Sequence, residues 1–321
     1  MILKRVTVLI AAAFLITVTS TFIGPRFINP FHLNDMALQI IFSIRLPRII
    51  VSILMGSALG SSGAILQGIL RNPLADPYIL GISSGSALLA AAGLIFGITA
   101  IGLFTIPALS FMGALLTGLT VGVMGYRRGG ILPERLLLAG IGLGFLFSAI
   151  LMLIMSISPN EGLRRAILWI FGDLSMADWS LIPYGFICIF AGFVLSLWRS
   201  KGLNALILGD EIAYSLGFSP FKERLLLFIS ASLMTASSVS LGGIVGFIGL
   251  LIPHIVRTYV GSDSRILIPL SALTGGTLLC IADTIGKTVM SPMEIPSGII
   301  TAIIGAPYFL YLLQKREIMG M

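Results

Sequence analysis

The chain has 321 residues, of which 57% are hydrophobic and 10% are charged, whereas soluble proteins carry about 25% charged residues. Together with a mean hydropathy of +1.06, this composition excludes a soluble enzyme, a disordered chain and a secreted disulfide scaffold, and it predicts an all-α protein that crosses a membrane many times. The net charge of +7 comes from basic residues placed singly or in pairs between apolar runs, a pattern that indicates membrane topology rather than a nucleic-acid surface.

The apolar runs predict about ten membrane-spanning helices of about 20 residues each. A transmembrane β-barrel would instead show alternating segments of roughly 10 residues. The predicted spans lie at 6–23, 49–70, two within 77–126, 136–158, 181–198, two within 225–256, 266–282 and 295–314. Lys4 and Arg5 precede the first run, as they would in a cleaved signal peptide. Because the apolar core of a signal peptide has only about 7–15 residues, we interpret this run as an anchor.

Two uncharged stretches each have to supply two spans. The stretch 77–126 has 50 residues, and Pro107 with its neighbouring glycines predicts the turn between its two helices. The stretch 225–256 has 32 residues, which is short for two full spans. One of its helices is therefore predicted to be broken or to extend past Arg257, with the turn at Gly242 and Gly243.

The distribution of lysine and arginine predicts the orientation. If the N-terminus is cytoplasmic and ten spans alternate, 14 of the 20 basic residues fall in cytoplasmic segments and 6 in outer segments. Cytoplasmic loops of membrane proteins carry such an excess. The sequence therefore predicts that both termini lie in the cytoplasm.

Glycines four residues apart recur along the predicted spans. Such pairs let helix backbones approach each other closely in lipid, so most of them are predicted to be packing faces. The pairs are Gly56 and Gly60, Gly81 and Gly85, Gly118 and Gly122, Gly140 and Gly144, and Gly242 and Gly246. The spacing of Gly56, Gly60 and Gly63 recurs at positions 242, 246 and 249, which is the pattern of an internal repeat or a chance result of 37 glycines.

The chain carries little reactive chemistry. Cys188 and Cys280 lie in separate apolar runs, so no disulfide is predicted. Two histidines without a Cys/His cluster predict no metal site, and His254 is interpreted as a structural residue at the end of a span. Nearly every charge lies in a loop or at a span end, which argues against a proton- or sodium-coupled carrier with carboxylates near the midplane.

The segment 286–288, Gly-Lys-Thr, looks like the end of a phosphate-binding loop. That motif needs a glycine five residues before its second glycine, and Ile281 occupies the position. The predicted flanks are a span and an outer loop, whereas the motif needs a strand and a helix. The sequence therefore predicts neither a nucleotide site nor a catalytic constellation, and any ATP energy would have to come from a partner.

A short cytoplasmic helix is predicted at about 208–220, between the sixth and seventh spans. Asp210 and Glu211 form an acidic first turn, which suits a helix N-terminus. Gly217 suits a C-cap, and Pro220 then stops the helix. Because a few residues would suffice to connect two spans, the segment is either a docking helix for a partner or a solvated connector.

Further motifs follow one another along nearly the whole chain. They are Arg45-Leu46-Pro47-Arg48, Gln67, RNPLADP at 71–77, GISSG at 81–85, GFIGL at 246–250, PHIVR at 253–257, Ala282-Asp283, Pro296-Ser297-Gly298 and GAPYF at 305–309. In this order they resemble the FecCD-type permeases of binding-protein-dependent ABC importers, which take up iron-siderophores, haem and vitamin B12. The resemblance implies a ten-span, type II importer permease formed by a single membrane domain over 1–321.

The resemblance also implies an assembly. A second copy of the chain would form a homodimer, two ATP-binding subunits would dock from the cytoplasm, and a substrate-binding protein would dock on the outer face. ATP and Mg²⁺ would then bind to the partner subunits, so this chain would be a non-catalytic subunit without a cofactor of its own. Its place would be the cytoplasmic (inner) membrane of a bacterium or archaeon, with the lipid bilayer and no nucleic acid as a partner.

The short cytoplasmic helix resembles the coupling helix of this family, which has an acid, an alanine two residues on and a glycine six residues on. The residues that the resemblance assigns to ATPase coupling are Gly209, Asp210, Glu211, Ala213, Leu216 and Gly217. Ile212 stands where some relatives carry alanine, a minor departure.

Three basic residues resemble the outer residues that receive acidic side chains from the binding protein. Arg45 and Arg48 run against the charge bias expected outside, and they lie one turn apart on one face of a helix start. Their alternative role is snorkelling to lipid headgroups. Lys287 stands where relatives often have arginine, and it lacks the bidentate fork of a guanidinium.

The resemblance places a cytoplasmic gate at Asn72, Pro73 and Leu74, with Pro133 and Glu134 in the facing loop 127–135. The pathway wall would come mainly from spans three, five and eight and from the segment 163–172, and nothing there names the cargo. The predicted function is the permease subunit of an ABC importer for a metal chelate such as iron-siderophore, haem or cobalamin. The alternative is a stand-alone secondary carrier or channel for a small solute.

Overall fold

The computed structural model describes residues 2–98, 102–127, 130–158 and 160–318. The helices are α1 (Ile2–Phe22), α2 (Asp35–Ile40), α3 (Leu46–Ile69), α4 (Ile82–Ile95), α5 (Thr105–Gly125), α6 (Pro133–Ser156), α7 (Asn160–Ile170), α8 (Ile182–Trp198), α9 (Ser200–Leu208), α10 (Asp210–Ser215), α11 (Pro220–Gly242), α12 (Ile248–Val260), α13 (Ser264–Thr288) and α14 (Ser297–Ile318). A π-helical turn, Ile41–Arg45, joins α2 to α3, and β1 (Tyr126–Arg127) pairs antiparallel with β2 (Gly130–Ile131). The predicted loop 127–135 includes residues 128 and 129, which lie outside the described residues.

The helices confirm a multi-pass membrane protein of the all-α class. Within the described residues, five stretches are long and apolar enough to span: Asp35–Ile69, Thr105–Gly125, Pro133–Ser156, Pro220–Gly242 and Ser264–Thr288. The pair α8 and α9, bent by 56°, qualifies together as a sixth. Shorter apolar helices, Val6–Phe22, Ile82–Ile95, Ile248–Val260 and Ser297–Tyr311, lie at the other predicted spans. The count of ten and the orientation stay predictions.

Helix α3 is the centre of the packing, because nearly all of its residues are buried and it contacts α8, α11, α12 and α13. A Cβ added to Gly56 would collide with the Gly275 carbonyl of α13, and one added to Gly63 would collide with the Gly249 carbonyl of α12. Close backbone contact of this kind replaces hydrophobic drive between helices in lipid. The prediction that spaced glycines are packing faces is confirmed for this helix.

The prediction of a broken span is also confirmed. Helix α11 ends at Gly242, the backbone leaves the helix over 243–247, and α12 then extends past Arg257 to Val260. Phe247, the residue before α12, takes a left-handed conformation with φ of 68°. The interruption exposes helix-end N–H and C=O groups inside the fold, and such groups need partners at membrane depth.

Side chains from the end of α3 and the loop after it bind the first turn of α12, where Pro253 has no N–H to donate to the Gly249 carbonyl. The Gln67 amide donates to the carbonyls of Gly249 and Leu250, at 3.3 and 3.1 Å. The Asp76 carboxylate accepts hydrogen bonds from the N–H groups of Leu250 and Tyr78. Burial nevertheless raises the pKa of Asp76 to about 6, because removal from water disfavours the charged form more than two hydrogen bonds favour it.

Two predictions about the ends of spans are wrong. Pro107 does not mark a turn, because it lies in the first turn of α5, where a missing N–H costs no helical hydrogen bond. The ninth span does not end at 282, because α13 continues to Thr288. Asp283 and Lys287, which the sequence placed beyond the ninth span, are therefore buried inside it.

Candidate functional site

The predicted cytoplasmic helix exists, and glycines define both of its ends. Gly209, with φ of 134° and ψ of 153°, separates α9 from α10. Gly217 has φ of 84°, its N–H donates to the Tyr214 carbonyl, and the N–H of Phe218 donates to the Ala213 carbonyl. These two bonds form a Schellman C-cap, which confirms the role predicted for Gly217.

One side of α10 packs inward and the rest of its apolar surface faces solvent. Ala213 is fully buried, whereas Ile212, Tyr214 and Leu216 are 45%, 77% and 58% exposed. Glu211 is exposed as well. Contiguous exposed apolar side chains next to charges are typical of a protein interaction surface. Ile212, the position of the departure from the family pattern, lies on this surface.

Asp210 is partly exposed, but its carboxylate is bound by two arginines. Arg224 donates from Nη2 to Oδ1 at 2.8 Å and from Nη1 to Oδ2 at 3.2 Å. The Arg71 guanidinium forms a second ion pair with Oδ1. Burial alone would raise the pKa of Asp210, but the hydrogen bonds and charges of Arg224 and Arg71 outweigh it and lower that pKa. Asp210 is therefore an anionic anchor for both arginines.

The same two arginines also bind backbone carbonyls in separate segments. Arg71 donates from Nε to the Leu206 carbonyl of α9 at 2.7 Å, and Arg224 donates from Nη1 to the Ile131 carbonyl of β2 at 2.8 Å. Arg71 directly precedes the first predicted gate segment, and Ile131 precedes the second. The structure thus brings the predicted coupling helix next to both predicted gate segments.

The gate segments themselves are ordered by local bonds. The Asn72 side chain accepts from the Leu74 N–H at 2.9 Å, and the Asn72 carbonyl accepts from the Ala75 N–H at 3.0 Å. Pro133 opens α6, and Glu134 is exposed in its first acidic turn. Asn72 therefore shapes a turn, and the gating role of these residues stays a prediction.

The outer basic residues occupy a different setting from the one that the sequence suggested. Arg48 is 7% exposed and lies against Asp283, which is 2% exposed. Its Nε is 2.9 Å from both carboxylate oxygens of Asp283, and its Nη1 is 2.7 Å from Glu294. The Glu294 side chain is 39% exposed, so it is the part of this cluster that reaches the surface.

Arg45 and Lys287 are buried beside this cluster but bind other groups. Arg45 donates to the carbonyls of Thr21 and Arg26, at 2.9 and 2.6 Å, and so caps the end of α1. Lys287 is 3% exposed, and its Nζ lies 3.5 Å from the Ser20 carbonyl. The three basic residues therefore tie α1, α3 and α13 together. Their contact with a binding protein stays a prediction.

A cavity of about 440 Å³ lies at the end of the bundle where α5 begins and α11 ends. Leu168 and Trp169 of α7 line it, together with Arg165 and Asp173. Part of the predicted pathway segment 163–172 therefore borders this cavity, and the role of the cavity in a pathway stays a prediction.

Several residues of both clusters were not predicted as site residues. Asp283 and Arg71 belong to motifs that the sequence displays, but only the fold reveals their partners. Arg224 and Glu294 carried no motif signal. The sequence does indicate that such partners exist, because an ionisable residue beside an apolar run is costly unless another group pairs with it. The sequence does not identify that partner, because Arg48 and Asp283 are 235 positions apart.

The sequence is similar to a family of transport proteins and to several of its individual members. The profile described as the FecCD transport family matches residues 7–315. The cobalamin import system permease of Halobacterium salinarum is 39% identical over 91% of this chain and 78% of its own length. The hemin transport system permease of Yersinia pestis is 39% identical over 88% and 86% of the two chains. The Fe(3+)-citrate import system permease of Bacillus subtilis is 39% identical over 97% and 95%.

A solved structure has the same fold. It is described as an inward-facing conformation of a metal-chelate type ABC transporter, and it matches with a TM-score of 0.88 at 32% identity. The match covers 97% of this chain and 99% of that chain.

Proposed function

The chain belongs to the FecCD transport family, and from that premise we propose that it is the membrane-spanning permease subunit of an ABC importer. The proposed cargo is a metal chelate of the kind named for its relatives, which are permeases for cobalamin, hemin and Fe(3+)-citrate. The observation that carries the proposal is α10. A six-residue helix with an exposed apolar face and two glycine-defined ends is a built docking element rather than a flexible connector.

The proposed assembly contains two copies of this chain, two ATP-binding subunits and an outer binding protein. ATP and Mg²⁺ bind to the ATP-binding subunits, and α10 receives the force of hydrolysis. Both termini lie in the cytoplasm, and the complex resides in the cytoplasmic (inner) membrane. Helix α6 leaves Leu138, Phe145 and Met152 70%, 75% and 69% exposed, and we propose that the second copy, the pathway and lipid share this surface.

The binding protein is proposed to dock near Arg45, Arg48 and Lys287. Since these side chains are buried, docking has to begin at the partly exposed Glu294. An acidic side chain of the binding protein would replace Glu294 as the partner of Arg48 Nη1. Exchange of one carboxylate for another keeps the buried guanidinium paired throughout, which avoids the large cost of an unpaired buried charge.

Reconstitution tests the function directly. The permease, the ATP-binding subunit and the binding protein from the same operon are purified together and placed in liposomes. Uptake of a ferric siderophore, hemin and cobalamin is measured with ATP and with an ATPase subunit that cannot hydrolyse it. We expect ATP-dependent uptake of one cargo class. Uptake by the permease alone, without ATP, would instead establish the carrier or channel alternative.

A further inference from the structure

The carboxylate of Asp210 in α10 binds Arg71 and Arg224, and these arginines link it to two further segments: the loop that follows α3, and the hairpin that precedes α6, which Arg224 reaches through the Ile131 carbonyl. We propose that Asp210 is the positioning residue that transmits a movement of α10 to both of these segments. The inference rests on the proposed function, because it requires that an ATP-binding subunit moves α10. It goes beyond that function by naming the atoms through which the movement passes.

The first arm of the junction runs through Arg71. Helix α3 ends in a Schellman cap, in which the Arg71 N–H donates to Gly68 and the Asn72 N–H donates to Gln67, both at 3.2 Å. Arg71 occupies the left-handed position of this cap with φ of 49°, where glycine is the usual residue. An arginine in this conformation is strained, and retained strain points to a functional requirement. What the arginine gains there is contact with both Asp210 and the Leu206 carbonyl.

The second arm runs through Arg224 in the first turn of α11. Arg224 is 2% exposed, and its Nε has no hydrogen-bond partner among the described residues. Its charge is therefore balanced mainly by Asp210, whose side chain is 47% exposed. If α10 moved away without Arg224, a buried guanidinium would lose its counter-charge, which is costly. Arg224 must therefore follow Asp210, and its bond to Ile131 carries the displacement to the hairpin.

The junction joins the docking face to both gate segments by short paths. Asp210 opens the helix that exposes Ile212, Tyr214 and Leu216. On the other side, Arg71 is adjacent to Asn72, and Ile131 lies two residues before Pro133. Charge-assisted hydrogen bonds are the stronger class of hydrogen bond and hold a defined geometry. A displacement of α10 therefore reaches both segments through one carboxylate.

The decisive variant is Arg71→Gly in the complete transporter with its ATP-binding subunits and binding protein. Glycine relieves the left-handed backbone, so the melting temperature is expected to stay the same or to rise. The guanidinium is lost, so cargo uptake per ATP hydrolysed is expected to fall at least about tenfold, the scale of one lost charge-assisted bond. Asp210→Asn is expected to lower the same ratio, which is independent of how much complex assembles.

The matched control is Asp263→Asn. Asp263 also pairs with an arginine, Arg265, two positions along at the start of α13, and it caps that helix. It accepts one further hydrogen bond, from the Asn204 amide of α9 at 2.8 Å, which the amide oxygen of asparagine can still accept. Asparagine caps helices as well as aspartate does, so uptake per ATP is expected to stay within roughly twofold of wild type. The double variant Arg71→Gly with Asp210→Asn is expected to be no worse than the worse single variant, since both interrupt one junction.

Three results would overturn the inference. One is an unchanged ratio of uptake to ATP hydrolysis in Arg71→Gly and Asp210→Asn. Another is a lower melting temperature in Arg71→Gly with uptake reduced only in proportion to the folded fraction, which would make Arg71 a purely structural residue. A third is an equal loss in Asp263→Asn. Failure of the proposed function would look different, as a wild-type chain that transports without ATP, and it would remove this inference too.

Discussion

The clusters around Arg48 and Asp210 both pair arginine with carboxylate, but they differ in burial. Arg48 and Asp283 are 7% and 2% exposed, whereas the Asp210 cluster pairs Arg224, which is 2% exposed, with an Asp210 side chain that is 47% exposed. Removing one partner of a pair that is buried on both sides typically costs ~3–5 kcal/mol and an exposed pair contributes ~0–1 kcal/mol, so the half-exposed Asp210 pair lies between these values. We infer that the Arg48 cluster, here called the outer cluster after its predicted side, fixes the positions of α3 and α13. The Asp210 cluster, on the predicted cytoplasmic side, connects segments that the proposed function requires to move.

The largest expected effect is on the outer cluster. Arg48→Met removes the guanidinium that binds both oxygens of the buried Asp283 carboxylate and leaves Lys287 as its nearby cation, so we expect the free energy of unfolding to fall by about 3 kcal/mol, the lower end of the cost of breaking a buried pair. The double variant Arg48→Met with Asp283→Leu removes both charges and should recover part of that loss. The measurement is thermal unfolding of the purified permease in detergent.

The control for this prediction is Arg265→Met, because the Arg265 side chain is 58% exposed in its pair with Asp263. Its loss should cost at most ~1 kcal/mol. If Arg48→Met and Arg265→Met lower the free energy of unfolding equally, burial does not decide how much an arginine–carboxylate pair contributes to stability.

Asp76 tests whether burial alone decides the cost of a charge, because it is a buried carboxyl that lies in the loop beginning at Arg71, one of the arginines of the half-exposed Asp210 cluster. Its pKa is raised from 3.8 to about 6, so folding favours the protonated form. The contribution of Asp76 to stability is therefore largest below pH 4 and falls as the pH rises towards 6, by ~3 kcal/mol for a shift of this size. The measurement is the melting temperature between pH 4 and 8.

Asp76→Asn is the matched variant, because its amide oxygen accepts the same bonds from Tyr78 and Leu250 but never ionises. We expect a melting temperature that is higher than wild type at pH 7.5 and that lacks the fall between pH 4 and 6. A variant with the same pH profile as wild type would show that Asp76 is not the titrating group.

The positions of most apolar helices could be predicted from the sequence, because an apolar run is a local signal. The broken span at 243–247 and the C-cap at Gly217 also follow from local glycine and proline chemistry. The amphipathic helix α7 and the bend between α8 and α9 were not predicted. A polar helix outside the apolar runs has no hydropathy signal, and the α8–α9 bend has neither a proline nor a glycine pair to mark it.

The partners of the site residues could not be predicted, because they depend on contacts across the whole chain. The charge on Arg48 is evident from the sequence, but its burial depends on α13 extending to Thr288. The sequence likewise predicts only that Arg71 lies in a loop, and the capped end of α3 is what directs its side chain to Asp210. The family resemblance, which the profile match confirms, did not indicate which charges bind each other.

An intermediate effect tests the cytoplasmic helix without touching a charge. Gly217→Ala places a Cβ on a residue with φ of 84° and no described atom within 4 Å of that Cβ, so the cost is backbone strain of ~1–2 kcal/mol. We expect faster hydrogen exchange of the α10 amides. Gly142→Ala, a helical site with equally open space, should leave α10 unchanged. Equal exchange in both variants would show that the cap does not hold α10.

The smallest expected effect on stability is at Glu294, the exposed edge of the outer cluster. Glu294→Gln keeps an acceptor for Arg48 and removes a partly exposed charge, so stability should change by less than ~1 kcal/mol. If an acidic residue of the binding protein replaces Glu294, the variant should bind that protein several-fold more tightly, and less so at high salt. The measurement is affinity in nanodiscs at two salt concentrations, with Asp173→Asn as a control for general outer charge. If both variants gain the same affinity for the binding protein, the effect comes from general charge, and Arg48 has only a structural role.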